Sequence, residues 1–210
     1  MPKFSIVIPA YEMHGIGADM LKRCLRSIEK QTYRNFEIVV SDNCVTDEIL
    51  NVCEKFGRIR YVFNPKIGNS SNRNSAMHSA KGELIKILDQ DDYFADENSL
   101  QDIIDNFKEK DVWMITGCSN NPHPYYREDA NTLGSPTTLT LKNNLNIWFN
   151  ESLNWMLDLD FYRRLYAKYG TPKILDKINV IIGLHPNQAT NKLTDKEKNE
   201  EYIRFAADHR

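Results

Sequence analysis

The segment FEIVVSDNCVTDEILNVCEKFGRIRYVF, residues 36–63, places two short apolar runs on either side of an amphipathic stretch. The apolar runs, FEIVVSD and IRYVFN, predict strands. DEILNVCEKFG, between them, has apolar residues at helical spacing and ends in glycine, which predicts a helix with a glycine stop. A strand, a helix and a second strand in this order indicate parallel strands joined by a crossover.

The same alternation extends over residues 4–92. FSIVIP and ELIKILD predict two further strands, and LKRCLRSIEKQ and SSNRNSAMHSAKG predict two further helices. Strands that alternate with helices predict a doubly wound α/β sheet. Such sheets bind ligands at the carboxyl ends of their strands, so polar residues that directly follow a strand are the candidate functional residues.

After Asp92 the pattern is less regular. It predicts helices in ENSLQDIIDNFKEK and DFYRRLYAKYG, and strands in VWMITGC and INVIIGLHP. Residues 118–137 are rich in Asn, Pro, Ser and Gly and predict a long loop. TDKEKNEEYIRFAADHR mixes charges of both signs and predicts a solvated helix at the C-terminal end.

The composition of the 210 residues is that of a globular protein, with 41% hydrophobic and 27% charged residues, and this length predicts one domain. The formal net charge of −2 lacks the basic excess of a duplex-binding protein, so no nucleic-acid partner is expected. No apolar run approaches the roughly 20 residues of a transmembrane helix, and the short apolar run of MPKFSIVIPAYE does not fit a signal peptide. We therefore expect a cytoplasmic chain whose four isolated cysteines are reduced and structural.

LDQDDYF, residues 88–94, puts three carboxylates directly after the predicted strand ELIKIL. Carboxylates this close repel one another, so Asp89, Asp91 and Asp92 need either a compensating cation or wide exposure to water. A divalent metal held by one or two carboxylates and by substrate phosphates is one solution. A solvated acidic turn is the alternative.

Other polar residues lie at predicted strand ends or helix starts. Tyr11 follows the first strand and Asp42 the second, although Asp42 is equally suited to cap a turn or helix. Arg73 lies near a predicted helix start, where a cation and free backbone N–H groups favour an anion. An exposed surface arginine is the alternative for Arg73.

The ordered series FSIVIPAYE, LKRCLRSIEKQTYRNFEIVVSDN and GNSSNRNSAMHSAKGELIKILDQDD resembles the nucleotide-binding half of a family 2 glycosyltransferase. That family has the GT-A fold, an α/β fold with a mostly parallel central sheet flanked by helices, and it inverts the anomeric centre of the transferred sugar. A weaker resemblance covers residues 157–190, where LDLDFYRRLYAKYG and VIIGLHPNQAT are similar to the acceptor-side block of the family.

The resemblance implies a donor-binding site in the first half of the chain. Asp42 would accept a hydrogen bond from the uracil imide, Arg73 would face the diphosphate, and Asp89 would lie near the ribose. The remaining lining of the uridine pocket would come from Pro9, Ala10, Tyr11 and Glu12.

The resemblance also implies a metal ligand and a catalytic base. Asp91 would bind a divalent metal, Mn²⁺ or Mg²⁺, and Asp158 occupies the position of the base. Asp158 and Asp160 are two residues apart and diverge on a helix, so only one can point into the site; for Asp158, a charge that favours the helix N-terminus is the alternative. His185 is either a ligand of the metal or diphosphate, or a hydrogen-bonded turn histidine.

Two positions depart from the family pattern. Cys44 and Val45 stand where the family has glycine and serine, so the loop near the uracil is expected to take a different path. Leu157 replaces the glutamate that normally precedes the base. Among the aromatic residues, Tyr125 and Tyr126 are candidates for a mobile acceptor lid, whereas core packing is expected for Trp148 and Trp155.

Together these features predict a single GT-A domain with a nucleotide-sugar-binding half (1–94), an acceptor-side half (95–190) and a helical tail (191–210). The expected activity is inverting, metal-dependent transfer of a hexosyl or N-acetylhexosaminyl group from a nucleotide-diphosphate donor, UDP-linked by preference, to a glycan or lipid-linked glycan. A lipid-linked acceptor would bring the chain to the cytoplasmic membrane face. The alternatives are a non-catalytic nucleotide-sugar-binding module and, ranked last, a sugar nucleotidyltransferase, whose Gly- and Arg-rich loop is not present in IPAYEMHG.

Overall fold

The structure is a computed structural model that describes residues 3–127 and 130–208. The strands in this part of the chain are β1 (Phe4–Ala10), β2 (Phe36–Asp42), β3 (Ile59–Phe63), β4 (Leu84–Ile87), β5 (Tyr93–Phe94), β6 (Trp113–Cys118), β7 (Leu139–Lys142) and β8 (Lys173–Ile181). The α-helices are α1 (Gly17–Glu29), α2 (Glu48–Phe56), α3 (Asn69–His78), α4 (Ser99–Asn106), α5 (Leu157–Tyr169), α6 (Ala189–Lys192) and α7 (Asp195–Asp208). Short 3-10 turns lie at Met13–Gly15 and Pro136–Thr138.

The strands form one sheet in the order β3-β2-β1-β4-β7-β6-β8-β5. β1 pairs in parallel with β2 and β4, β2 pairs in parallel with β3, and β6 pairs in parallel with β8. β7 is antiparallel to both of its neighbours, and β5 is antiparallel to β8. All strands except β5 and β7 therefore run in one direction, which confirms the predicted mostly parallel α/β sheet.

The core lies on both faces of the sheet because the central strand β1 is buried on both sides. Ile6 and Ile8 contribute to a cluster with α1, α2 and α4, whereas Val7, between them, contributes to a second cluster with α3 and α5. Successive side chains of a strand point to opposite faces, so a strand covered on both faces needs a continuous apolar run. The sequence FSIVIP meets that requirement.

The acceptor side of the sheet differs in detail from the predicted pattern. β5 and β7 were not predicted, because strands of two and four residues are too short to show a period. β8 begins at Lys173 rather than at the predicted Ile178, because the polar stretch at its start pairs with β6 through a bulge. The 118–137 segment is mostly irregular, as predicted, and its residues 128 and 129 lie outside the described ones.

The predicted solvated helix at the C-terminal end is only partly solvated. α7 forms where predicted, but Glu201 and Phe205, one helical turn apart, are buried, and Phe205 joins the second core cluster. Because the segment is rich in charged residues of both signs, the sequence did not predict that Glu201 and Phe205 are buried. None of the helices in the described ranges is both long and apolar enough to cross a membrane.

Candidate active site

The acidic turn after β4 is locked to the end of β1 by Gln90. The buried Gln90 side chain accepts a hydrogen bond from the Tyr11 N–H at 2.5 Å and donates to the carbonyl oxygens of Tyr11 (2.9 Å) and Gly17 (3.1 Å). The only sequence feature that distinguishes Gln90 is its position between Asp89 and Asp91, which does not predict its contacts. This lock brings Tyr11 and the aspartates of the turn into one site, as the strand-end rule predicted.

Asp91 and His185 meet although 94 residues separate them in the chain. His185 Nε2 lies 2.9 Å from Asp91 Oδ2, and both side chains are largely buried. The segment after β8 approaches closely because Gly183 N–H donates to Asp92 Oδ1 at 2.9 Å. A Cβ atom on Gly183 would stand only 1.8 Å from the Asp91 carbonyl oxygen, so this approach requires glycine.

Arg73 and Asp89 form a buried ion pair. Arg73 Nη2 donates to Asp89 Oδ2 at 2.7 Å, and Arg73 Nη1 donates to Asn69 Oδ1, also on α3. The alternative interpretation of Arg73 as an exposed surface residue is therefore wrong, because only 4% of Arg73 is exposed. Asp89 Oδ1 and Arg73 Nε are buried and have no hydrogen-bond partner among the described residues. A buried polar atom without a partner is costly, so these two atoms mark unused hydrogen-bonding capacity at the ion pair.

Asp42 lies at the end of β2 with its carboxylate completely buried. Asp42 Oδ1 accepts from the Cys44 N–H and Oδ2 accepts from the Tyr61 hydroxyl, both at 2.9 Å. The loop that departs from the family pattern thus turns its backbone onto Asp42. Burial and the hydrogen bond to Asp42 raise the pKa of Tyr61, which keeps the hydroxyl a donor. Both oxygens of Asp42 are thus engaged within the protein, which the sequence did not predict.

The ends of β1 and β2 are held together by Asn72 on α3. Asn72 Nδ2 donates to the Ala10 carbonyl at 2.9 Å, and Asn72 Oδ1 accepts from the Ser41 hydroxyl at 2.7 Å. Pro9 and Ala10 pair with Ser41 and Asp42 across the strands, which places them at this edge of the sheet. Asn72 was not among the predicted site residues, although it directly precedes Arg73.

Asp158 lies in the first turn of α5. Its Oδ2 accepts from Asn131 Nδ2 at 2.6 Å, and its Oδ1 accepts from the Leu159 N–H at 2.8 Å. Asp160 instead pairs with Arg164 one turn along the helix, at 2.5 Å. The two carboxylates therefore have different partners, and Asp158 contacts the loop that carries Asn131.

Burial raises the pKa of Asp158 to about 6, while the nearby Arg73 charge acts in the opposite direction. The loop that carries Asn131 also reaches the ion pair, because the Ser135 hydroxyl lies 3.5 Å from Asp89 Oδ2. Burial raises the pKa of Tyr11, and the charges of Asp91, Glu12 and Asp89 raise it further. Tyr11, the acidic turn and Asp158 therefore border one continuous site.

Lys86 is a fully buried cation in β4 below the acidic turn, and it was not predicted as a site residue. Its ammonium donates to the carbonyl oxygens of Thr137 and Leu139. Burial lowers the pKa of Lys86 to about 7, against the opposing charges of Asp92 and Asp89. Burial also raises the pKa of Asp92, and its acidic neighbours add to that shift. Lys86 thus lies near a turn whose carboxylates repel one another, but with a pKa of about 7 its amine is fully charged only below neutral pH.

The four aromatic residues singled out in the sequence, Tyr125, Tyr126, Trp148 and Trp155, are half-buried or exposed. Tyr126 stacks on Tyr166 with ring centroids 4.1 Å apart, and Tyr125 is exposed. Trp148 stacks on His78 at 3.7 Å and packs against the second core cluster, in line with core packing. Trp155 is half-buried beside Lys198 of α7.

The donor atoms at the acidic turn suit a divalent metal that shares its shell with a ligand. In residues 3–127 and 130–208, no group of three or more His, Cys, Asp or Glu side chains is arranged to hold an ion. Asp91 and His185 nevertheless provide one carboxylate and one imidazole at the same point. Mg²⁺ is usually held by one or two carboxylates plus substrate phosphates, so a pair of protein ligands fits an ion that arrives with a diphosphate.

A sequence profile of glycosyl transferase family 2 matches residues 5–166. Chondroitin synthase of Pasteurella multocida (strain Pm70) is 27% identical to the chain over 224 aligned residues. The alignment covers 97% of this chain and 23% of the synthase, so the chain spans less than a quarter of the length of that relative.

Two solved structures share the fold. S. aureus TarS 1-349 in complex with UDP-GlcNAc superposes with a TM-score of 0.74 at 21% identity, covering 98% of this chain and 66% of that one. Glucosyl-3-phosphoglycerate synthase from Mycobacterium tuberculosis, in complex with Mn²⁺, UDP and glucosyl-3-phosphoglycerate, superposes with a TM-score of 0.71 at 13% identity, covering 97% and 80%. The fold is therefore the GT-A fold. Since the family profile extends from β1 into α5, the chain belongs to glycosyl transferase family 2.

Proposed function

We propose that the chain transfers a sugar from a UDP-linked donor to a glycan or lipid-linked glycan, with a divalent metal and inversion at the anomeric carbon. The observation that carries the proposal is that one loop contacts both Asp158, through Asn131, and the Arg73–Asp89 pair, through Ser135, after the end of β4. A base with a raised pKa beside a buried cation is what displacement of a diphosphate requires. Membership of the family and the nucleotide-bound neighbours support the same reading.

The nucleotide would bind to the half formed by residues 1–94. Pro9, Ala10 and Tyr11 would line the uridine pocket together with Glu12, and Asp89 would lie near the ribose. Asp42 would recognise the uracil imide through a second lone pair of an oxygen, because each oxygen already accepts one hydrogen bond. The half formed by residues 95–190 would hold the acceptor, and residues 191–210 would form the helical tail of the same domain.

Asp91 and His185 would hold the metal. Bound there, the ion would neutralise negative charge on the diphosphate. The neighbour from Mycobacterium tuberculosis contains Mn²⁺ together with UDP, which supports a divalent metal for this fold. His185 Nε2 and Asp91 Oδ2 lie 2.9 Å apart, so both candidate ligand atoms are at the same point of the site.

Asp158 would act as the general base. The acceptor hydroxyl oxygen attacks the anomeric carbon, its proton passes to the Asp158 carboxylate, and the bond from the anomeric carbon to the diphosphate oxygen breaks. UDP leaves with the bonding electrons, and the Arg73 guanidinium stabilises the charge that develops on it. With a pKa of about 6, Asp158 is mostly ionised at neutral pH yet basic enough to accept a proton.

The test is UDP release from a panel of UDP-hexoses and UDP-N-acetylhexosamines with Mn²⁺, with and without oligosaccharide acceptors, followed by NMR of the anomeric proton of the product. We expect release with at least one donor, and Asp158→Asn to lower kcat by about 10²–10⁴-fold without loss of UDP binding. Asp105→Asn, an exposed aspartate on α4, is the matched control and should keep full activity. UDP binding without turnover of any donor would instead favour a non-catalytic binding module.

A further inference from the structure

The start of α5 is held by a carboxylate from the far end of the chain. Glu201, on α7, accepts from the backbone N–H groups of Asn154, Trp155 and Met156 at 2.6, 2.6 and 2.7 Å. Only 3% of Glu201 is exposed. A buried carboxylate with three backbone donors is a built anchor, not an incidental surface contact.

These donors belong to Met156, the N-cap of α5, and to the two residues before it, so they lie just ahead of the helical N–H groups that a cap normally satisfies. The N–H groups at the beginning of a helix have no intrahelical acceptor and are usually satisfied by the side chain of the N-cap residue. Here the N-cap is Met156, and it provides no side-chain hydrogen bond. The Leu159 N–H in the first turn donates to Asp158 Oδ1, whereas Glu201, 45 residues beyond Met156, fixes the backbone that leads into the helix.

The anchored residues, 154–156, lead directly into the turn that carries Asp158. Asp158 follows Met156 by two residues, and the Asp160 N–H closes the first helical turn on the Met156 carbonyl at 3.0 Å. α7 is pressed against the same part of α5 by Phe205, whose ring lies 5.3 Å from the Arg163 guanidinium carbon, and by Lys198, which lies over Trp155. Any displacement of this turn therefore moves the Asp158 carboxylate relative to the Arg73–Asp89 pair.

We propose that Glu201 is a positioning residue for the transfer reaction: by fixing the first turn of α5 it fixes the carboxylate of Asp158. The inference rests on the proposed function, in which Asp158 is the base. It makes α7 a working part of the acceptor side rather than a solvated tail. The hydrogen bonds of Glu201 go to the backbone N–H groups of residues 154–156, so it would act on the reaction through Asp158 and not on the substrates.

The test compares Glu201→Gln with Glu200→Gln. Both substitutions remove one negative charge from adjacent positions of α7, but Glu200 is exposed whereas Glu201 is buried. In Glu201→Gln one oxygen acceptor is replaced by an NH₂ donor that faces a backbone N–H. We expect kcat to fall about tenfold to a hundredfold, as small displacements of a catalytic group do. The donor KM and UDP affinity should stay within about twofold, and Glu200→Gln should match the parent protein.

Two measurements make the result independent of turnover. Amide exchange at residues 154–156, followed by NMR, should be slow in the parent and faster by about tenfold or more in Glu201→Gln. The carboxyl carbon of Asp158, which is influenced by Arg73, Asp89 and Tyr162, should titrate closer to an ordinary aspartate once the turn loosens and admits water.

Faster exchange with an unchanged kcat and an unchanged Asp158 titration would overturn the positioning role, as would equal effects of Glu201→Gln and Glu200→Gln. If the parent protein turns over no donor, the proposed function fails. The exchange and titration results would still decide whether Glu201 positions Asp158.

Discussion

The two halves of the site are held in different ways. On the donor side, the functional side chains follow parallel strands and are fixed by adjacent elements: Tyr61 of β3 holds Asp42 of β2, and Arg73 of α3 holds Asp89 after β4. On the acceptor side, Asp158 is held by Asn131 from a loop and, through the start of its helix, by Glu201.

The sheet therefore sets the geometry of the donor side, whereas segments distant in the chain set the geometry of the acceptor side. Parallel strands bring their carboxyl ends to one edge whatever the loops do. The position of Asp158 depends instead on packing against α7. We therefore expect donor affinity and catalytic rate to respond to different substitutions.

Gly183→Ala should have the largest effect, because this substitution in the acceptor half is expected to weaken donor binding. Gly183 belongs to the acceptor half, yet a Cβ there would lie 1.8 Å from the Asp91 carbonyl and 2.5 Å from Arg23. Because the Asp91 contact is with backbone, the turn must move, and overpacking of this kind typically costs about 1–3 kcal/mol. We expect Mn²⁺-dependent UDP binding, measured by calorimetry, to weaken about tenfold to a hundredfold.

The neighbouring Leu184→Ala is the control, because Leu184 is exposed and should bind UDP like the parent. Equal affinities for Gly183→Ala and the parent would show that the acidic turn does not depend on the segment after β8.

The pH dependence of kcat tests the role of Asp158 on the acceptor side. Burial raises the pKa of Asp158 to about 6, and a base acts only when ionised. At saturating donor and Mn²⁺, kcat should rise as the pH rises through about 6 and level off above it, with about a tenfold fall per pH unit on the acidic side. A rate that does not change between pH 5 and pH 8 would contradict the assignment of Asp158 as the base.

Tyr61→Phe tests the donor side with a smaller expected effect. It removes the hydroxyl that donates to Asp42 and leaves the ring in place. A hydrogen bond of this kind contributes about 0.5–1.5 kcal/mol, so UDP affinity should fall about twofold to tenfold while kcat stays near that of the parent.

Tyr202→Phe, on the exposed face of α7, is the matched control for Tyr61→Phe. A lower kcat with unchanged UDP affinity in Tyr61→Phe would place Asp42 outside nucleotide recognition.

The donor half was largely predictable from the sequence. Its strands are short apolar runs between amphipathic helices, so the placement of Asp42, Asp89 and Asp91 after strands follows from periodicity alone. The sequence suits His185 equally to a ligand of the metal or diphosphate and to a hydrogen-bonded turn histidine; in the structure its Nε2 lies 2.9 Å from Asp91 and its Nδ1 accepts from the Asn187 N–H at 3.2 Å. The roles of these residues in binding remain predictions.

The remaining contacts depend on partners that no local pattern connects. Gln90, Asn72 and Lys86 act through hydrogen bonds to backbone carbonyls of other elements, and any polar residue type could occupy such positions. Glu201 lies in a run of charges typical of a solvated face, and only tertiary packing distinguishes it from Glu200. Such choices are made by long-range packing rather than by propensity.

The central claim is that a nucleotide diphosphate binds with a divalent metal at the turn that carries Asp91. Calorimetric titration of UDP, GDP, CDP and dTDP, each with and without Mn²⁺, tests it in the parent protein and in Asp91→Asn. We predict UDP binding that requires Mn²⁺ and is lost in a folded Asp91→Asn protein. Two results would contradict the account. One is nucleotide binding that does not need Mn²⁺ and is unchanged in Asp91→Asn, and the other is that no nucleotide binds to the folded parent.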